Sequence, residues 1–414
     1  MNKAQQIDVA IIGAGPAGLS ASIELKRLGI KRVVVLEREN EAGGIPRHCG
    51  DFPFGMREYG RVLTGTKYAK KLVKSAKNAG VEIWLSTSVV EMRRGGHLLL
   101  VTNEGTKEIS ASRIIYACGV REKTRSARLI SGDRVQGVLN TGALQQMVYL
   151  RNQKPFENPV IIGSELVAFS AIRTCSHAKI KPVAIIEEAD KVIARWPVEL
   201  YAPLMQIPLH RSSKLIKIIG SNKVSAVEIK KSNGQIKTIK CDGVILCGHF
   251  IPESSLARLG HLEIDPATNG PIIDQFGRCS DPVYYAAGNI LRPVETAGWC
   301  WNEGKQIANW VALDLASKLQ SRHILTKIEV SKNVKLAVPQ CLTGIKENIG
   351  MSHIQLRFDR LMKGKLILSN DDEVIYSRNL SVFPQRRILI SLSDIKDLAT
   401  IKENSPIKVE FIEA

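Results

Sequence analysis

The strongest constraint on this chain lies in its first 37 residues. Ile7-Asp8-Val9-Ala10-Ile11-Ile12 is apolar enough for a buried parallel strand, and it runs directly into Gly13-Ala14-Gly15-Pro16-Ala17-Gly18. Leu19, Ile23, Leu25 and Leu28 then recur at helical spacing up to Gly29, and Arg32-Val33-Val34-Val35-Leu36 forms a second strand ending on Glu37. This is a strand–GxGxxG–helix–strand–acid unit. Gly13 allows the tight turn, Gly15 allows a pyrophosphate to approach the backbone, and Gly18 allows helix and strand to pack closely. The helix N-terminus offers free N–H groups and positive potential to phosphates. Glu37, 24 residues after Gly13, stands where a ribose diol would donate to it. A dinucleotide site is therefore expected at Gly13, Gly15, Pro16, Ala17, Gly18 and Glu37.

The same architecture recurs further along. Pro159-Val160-Ile161-Ile162 leads into Gly163-Ser164-Glu165-Leu166-Val167-Ala168, a helical stretch follows, and Pro182 to Glu187 reads as the next strand. Gly163 and Glu187 are again 24 residues apart, and Lys240 to Gly248 closes the repeat as a strand and Gly turn. In this copy Glu165 replaces the central glycine. A carboxylate about 4–5 Å from a phosphate costs ~1–4 kcal/mol at intermediate dielectric. Tight NAD(P) binding is therefore not expected at the second copy, unless the Glu165 side chain swings out to solvent.

Further residues refine the first site. Glu37-Arg38 is followed by Gly43-Gly44, and Pro282 to Asn289 reads as a strand entering a Gly turn before a helical stretch from Thr296 to Leu319. Together with the duplicated fold, these motifs resemble the two-dinucleotide-binding-domain flavoproteins of the pyridine nucleotide–disulfide oxidoreductase superfamily. The resemblance implies FAD as cofactor. It carries FAD contacts onto Arg38, Gly43, Gly44, Gly288 and Asn289, the last where the family usually has Asp at the ribityl chain. It points the helix N-terminus at Thr296-Ala297 toward the flavin's pyrimidine edge. It also matches Ala117-Cys118-Gly119 to the family's internal Ala-Thr-Gly turn, and Val89, at the end of a strand expected over 81–88, to the adenine contact.

The cysteines separate this chain from disulfide reductases. Cys49, Cys118, Cys175, Cys241, Cys247, Cys279, Cys300 and Cys341 include no Cys-x-x-Cys, and none lies within four residues of another. This argues against a dithiol relay and against a zinc or iron–sulfur site with close-spaced ligand pairs, so no metal site is expected. The stretch from Gly44 to Glu58 offers Arg47, a phosphate or acidic-substrate ligand or a partner in local salt bridges. It also offers His48, an acid/base group or a structural histidine, and Cys49. In Arg292–Gly304, Glu295 stands before the helix as a possible cap close to the flavin. Trp299 and Trp301 face different sides of it, one against the isoalloxazine or both in ordinary packing. The catalytic candidates are His48, Cys49, Glu295 and Trp299.

The loop Pro46–Gly50 and the run Arg292–Trp301 sharpen the resemblance to the FAD-binding A (alpha) subunits of opine oxidase, hydrogen cyanide synthase, sarcosine oxidase and proline dehydrogenase complexes. It covers roughly residues 6–320. It implies a small-molecule substrate with a C–N or C–O bond to oxidise. It also implies a second flavoprotein subunit, an iron–sulfur protein, or both as partners. Cys341 stands alone after residue 325, so a cluster would have to come from another polypeptide.

Charge and length complete the expectations. The 414 residues carry a net charge of +18, which attracts an acidic protein, an anionic membrane face or nucleic acid, or is a solvated surface. Lys67, Lys70, Lys71, Lys74 and Lys77 fit the wet face of one helix. No nucleic-acid module, signal peptide or apolar run of ~18 residues is apparent, so a cytoplasmic protein without a transmembrane segment is expected. The expected fold is α/β, with two Rossmann-like domains of glutathione-reductase type. The FAD domain is discontinuous (1–125 and 260–325), the second nucleotide fold occupies 126–259, and a small β-rich C-terminal domain spans 326–414. The expected function is FAD-dependent oxidation, in the role of an electron-transferring dehydrogenase subunit. The alternatives are an NAD(P)H-dependent reductase and a non-catalytic FAD-holding scaffold.

Overall fold

A computed structural model describes residues 5–194, 201–319, 326–343, 350–384, 386–395, 402 and 405–414. The chain forms two compact units. One comprises residues 1–44, 69–120 and 252–414, the other residues 45–68 and 121–251.

The first unit is built on the strand Gln5–Ile12, whose Val9 to Ile12 pair in parallel with Val33 to Leu36. On its other side, Gly105–Tyr116 pairs with it in parallel, and Val33–Leu36 continues to Glu82–Trp84. Tyr284–Ala286 adds in parallel to the end of Gly105–Tyr116. The alternating run His97–Thr102 and Ser88–Arg93 forms an antiparallel extension. Continuous apolar strands such as Val33–Leu36 are buried along their whole length, as a sheet covered on both faces requires. The helix Pro16–Arg27 starts with proline in its first turn, where a missing N–H costs nothing. It packs on the helix Ala297–Leu315 through small residues: a Cβ on Gly304 would lie 2.1 Å from the Ala17 carbonyl oxygen.

The second unit repeats this order. Five parallel strands run Leu209–His210, Ala184–Ile186, Pro159–Ile162, Gly243–Leu246 and Val138–Asn140, with the helix Leu166–His177 following the central one. An antiparallel meander, Ser213–Gly220, Val224–Lys231 and Ile236–Lys240, accompanies it. The duplication read from the 24-residue spacing is thus a duplication of sheet topology.

The C-terminal β-rich region belongs to the first unit. It holds a five-stranded and a three-stranded sheet around a core that includes Leu356, Phe358, Leu366, Ile390 and Phe411. Met362–Asn370 is among its longer strands because both its neighbours pair along it. The short strand Cys341–Leu342 pairs antiparallel with Thr326 and Lys327. The strand expected over 81–88 ends at Trp84, because Ser86 takes a left-handed backbone (φ 48°). Val89 therefore lies inside the next strand, paired with Leu100. The five lysines of 67–77 lie on the exposed face of the helix Gly65–Asn78.

Candidate functional site

In the first unit the glycine turn is shaped as a phosphate cradle. Gly13 has φ 107°, and a Cβ there would lie 2.6 Å from the Ala117 carbonyl oxygen. A Cβ on Gly18 would lie 2.0 Å from the Gly13 oxygen, so the helix and turn meet backbone to backbone. Beside Gly15 the opposite holds: a Cβ would find no atom within 4 Å. This gap sits at the N-cap of a 12-residue helix whose first N–H groups lack helical partners. Pro16 and Ala17 form that helix's first turn. Gly44 (φ 61°) closes onto the Gly15 Cα, and the Gly43 N–H donates to the Ala14 oxygen at 2.9 Å.

Glu37 is buried beside the turn and accepts from the Ala14 N–H at 2.9 Å and the Glu39 N–H at 3.0 Å. Arg38 next to it is exposed. The Thr87 N–H donates to the Glu37 carbonyl at 2.9 Å, which brings the start of the Val89 strand alongside. The Ala117 N–H donates to the Ile12 oxygen at 2.9 Å, and Gly119 has φ 71°. Between them the Cys118 thiol is pushed up to about 12, chiefly by burial. An open notch at the helix N-terminus, a buried acid at the end of the second strand and a third Gly turn fit the diphosphate, ribose and linker of FAD.

The Gly288 turn is framed by a buried polar network that the sequence did not disclose. The Gly288 N–H (φ 82°) donates to Glu303 at 2.7 Å, and Glu303 is held by Arg292 through two N–H groups at 2.7 and 3.2 Å. Arg292 donates to Gln355 at 3.0 Å, and Gln355 donates to Glu295 at 2.5 Å. Arg357 and Arg387 both donate to the same Glu295 carboxylate. Asn289 is clasped to the Glu295 main chain: its Nδ2 donates to the carbonyl at 3.1 Å and its Oδ1 accepts the N–H at 2.6 Å.

One expectation for this stretch is corrected here. Glu295 does not cap the helix, because its carboxylate is drawn to the arginines of the β-rich region. Thr296 caps instead, its hydroxyl accepting from the Trp299 N–H at 3.3 Å. Burial alone would raise the Glu295 carboxyl, but Arg292, Arg357 and Arg387 together hold it below the ordinary glutamate range. It is thus a fixed anion rather than a proton carrier. Ala297 begins the helix. Trp299 lies under the Arg387 guanidinium, 3.9 Å from the ring centroid, with the His353 ring at 5.7 Å. Trp301 faces elsewhere: its carbonyl accepts from Ser20 at 2.6 Å and Lys305 lies over its ring at 5.7 Å.

His48, Cys49 and Arg47 belong to the second unit, in or just after the 3-10 turn Ile45–His48. His48 and Cys49 are buried and Arg47 is half-buried. The Cys49 thiol donates to Asp51 at 3.8 Å and accepts from Gln145 at 3.9 Å. Asp51 also accepts from Ser170 and pairs with Arg173 at 3.0 Å. Burial, and then the Asp51 carboxylate, push the Cys49 thiol up, so it stays protonated at neutral pH. All eight cysteines are free thiols. No group of three or more potential metal ligands occurs among the described residues, and none of their helices is long and apolar enough to cross a membrane.

The second nucleotide fold is shaped differently at its phosphate position. Glu165 is the N-cap of the helix Leu166–His177, yet its side chain makes no capping bond. Its carboxylate instead lies over Gly248 (φ 69°), where a Cβ would sit 2.1 Å from Oε2. Glu122 accepts from the Gly142 N–H at 2.9 Å and the Gly248 N–H at 3.1 Å. Arg128 donates to the carbonyls of Cys247 and Gly248 at 3.0 and 2.7 Å. The donors of this turn are therefore engaged by the protein's own carboxylates. Glu187 keeps the position of Glu37 but accepts from Ser164 at 2.5 Å and the Ala189 N–H at 2.8 Å.

Known proteins resemble this chain in sequence and in fold. The chain is 24% identical over 313 residues to the A subunit of opine oxidase from Agrobacterium tumefaciens (strain Ach5), covering 68% of this chain and 61% of that protein. The chain thus spans about three-fifths of that relative's length. It is 24% identical over 297 residues to the rubredoxin-NAD(+) reductase of Pseudomonas putida, covering 68% of this chain and 71% of that one. In fold it is similar to T. acidophilum thioredoxin reductase, with a TM-score of 0.64 at 24% identity over 75% of this chain and 99% of that one. The family model for pyridine nucleotide-disulphide oxidoreductases matches residues 7–310. The chain belongs to that family, as an oxidoreductase that uses FAD.

Proposed function

We propose that the chain is an electron-transferring dehydrogenase subunit. Its substrate is an amine, amino acid, opine or polyol, oxidised directly or through a second flavoprotein subunit, and the reducing equivalents leave to an iron–sulfur protein or a quinone. When bound, FAD supplies hydride or electron transfer at its isoalloxazine ring. The chain's own part is to hold and orient it. On this reading Gly13, Gly15 and Gly18 admit the diphosphate, with Pro16 and Ala17 aligning its helix. Glu37 accepts from the ribose, Arg38, Arg47, Gly43 and Gly44 wrap the dinucleotide, and Val89 meets the adenine. Ala117, Gly119, Gly288 and Asn289 line the linker, and Thr296 and Ala297 begin the helix that faces the ring. His48, Cys49, Glu295 and Trp299 are the catalytic candidates on this reading.

One observation carries the choice of dehydrogenase over reductase. The Glu165 carboxylate lies over the Gly248 turn, and Glu165 itself is the N-cap of the helix Leu166–His177, the end at which this reading would set the phosphates of a nicotinamide dinucleotide. A ligand entering there must displace a carboxylate and meet its charge. The similarity to one of the opine oxidase subunits supports the same reading. The similarity to rubredoxin-NAD(+) reductase favours the alternative, an NAD(P)H-dependent reductase. Anaerobic stopped-flow mixing with NADH and NADPH separates the two. The dehydrogenase reading expects the flavin band to persist, and rapid bleaching by either nucleotide overturns it. Loss of the band on adding substrate and a partner subunit excludes a scaffold that merely holds FAD.

A further inference from the structure

We propose that Arg387, Trp299 and His353 form a carboxylate-binding subsite, so that the substrate is an amino acid, an opine or another carboxylate rather than a simple amine or polyol. This rests on the dehydrogenase reading above for its substrate role, but its geometry stands alone. The buried network around Gly288 holds three arginines, Arg292, Arg357 and Arg387, against two carboxylates, Glu295 and Glu303. Arg292 is matched by Glu303 through two bonds. Arg357 and Arg387 share Glu295, whose two oxygens already accept from Arg357, Gln355 and Arg387. Among the described residues, one positive charge is left over in this cluster. A surplus cation in a largely desolvated cluster favours an anion beside it.

The surplus falls on Arg387. Arg292 and Arg357 are buried, with side chains 2% and 7% exposed, whereas the Arg387 side chain is 26% exposed. One of its Nη groups donates to Glu295, and its Cζ lies over the Trp299 ring, 3.9 Å from the centroid. Ion pair and stacking together fix the guanidinium at little further entropic cost, which leaves its remaining N–H groups as a ready fork for a carboxylate. His353 borders the same ring at 5.7 Å. Burial first, then the charges of Arg292 and Arg387, lower its pKa, so it is a neutral imidazole at pH 7 that hydrogen-bonds without competing for the anion. Trp299 stands in the first turn of the helix capped by Thr296, the end proposed to face the flavin. A carboxylate held on Arg387 would therefore place the adjoining carbon near the reacting end.

The test is a titration of the FAD-loaded protein with benzoate, followed by tryptophan emission and by perturbation of the flavin band, with benzamide as the uncharged control. Saturable binding of benzoate but not of benzamide is expected. R387Q should weaken benzoate about tenfold or more, the loss of one charge-assisted pair, with FAD content unchanged. W299F, which keeps the core intact, should remove most of the emission change. Equal affinity for benzoate and benzamide, no saturable binding, unchanged affinity in R387Q or an undiminished emission change in W299F each overturn the subsite. Bleaching by NADH would overturn the dehydrogenase reading and leave this titration standing on its own.

Discussion

At the scale of the residue, Gly15 and Gly18 lie three positions apart and fail in opposite ways. A methyl at Gly18 has nowhere to go, with the Gly13 oxygen 2.0 Å away, so G18A must push helix from turn. Overpacking of this kind costs ~1–3 kcal/mol, and a fall in thermal midpoint with or without FAD is expected. A methyl at Gly15 meets nothing within 4 Å, so G15A should fold with an unchanged midpoint in the FAD-free protein and yet bind FAD more weakly. Calorimetry on the FAD-free protein and a flavin titration check both. These glycines were legible in the sequence because their requirement is local, a turn and a helix start within six residues. Asn289 was legible only in part. Its position in the motif was readable, but not that both ends of its amide are clasped by the main chain of Glu295.

At the scale of the element, Glu295 ties the approach to the helix Ala297–Leu315 to two strands of the β-rich region. It reaches Gln355 and Arg357 from His353–Arg357, and Arg387 just ahead of Ile388–Ser391. Its carboxyl titrates below the ordinary range in the fold, so its contribution to stability is complete above the unfolded value of about 4.3. That contribution is lost as pH falls toward the lowered folded value. E295Q should therefore unfold at lower temperature at pH 7, by ~3–5 kcal/mol for breaking a buried pair. The gap to the natural protein should narrow on acidification. Thermal melts of the two proteins from pH 7 to pH 3 measure this, and a gap independent of pH would contradict the assignment. None of this network was visible in the sequence, because its members are 62 and 92 residues apart and are brought together by strand register rather than spacing. The strand pattern itself was readable from alternation, whereas two-residue Cys341–Leu342 offers too little pattern to detect.

At the scale of the whole molecule, two copies of one sheet order carry two different glycine turns. The duplication could be read from equal spacings, and the Glu165 substitution could be read as a departure from the first copy. What could not be read was where that side chain goes, since the Gly248 turn it covers lies 83 positions further on, after a meander of strands. The expected outcome is one FAD per chain rather than two bound nucleotides. Quantifying FAD and adenine after denaturing the purified protein checks this, and adenine in excess of FAD would show the second copy to be occupied.

The codons for glycine and glutamate differ at a single base. On the reading given above, one point mutation at codon 165 would remove the carboxylate lying over the Gly248 turn, while Glu122 would keep its hydrogen bond to the Gly248 N–H. A laboratory selection that rewards growth on nicotinamide-borne electrons would then be expected to recover its first adaptive lesion at codon 165, ahead of changes near Gly13.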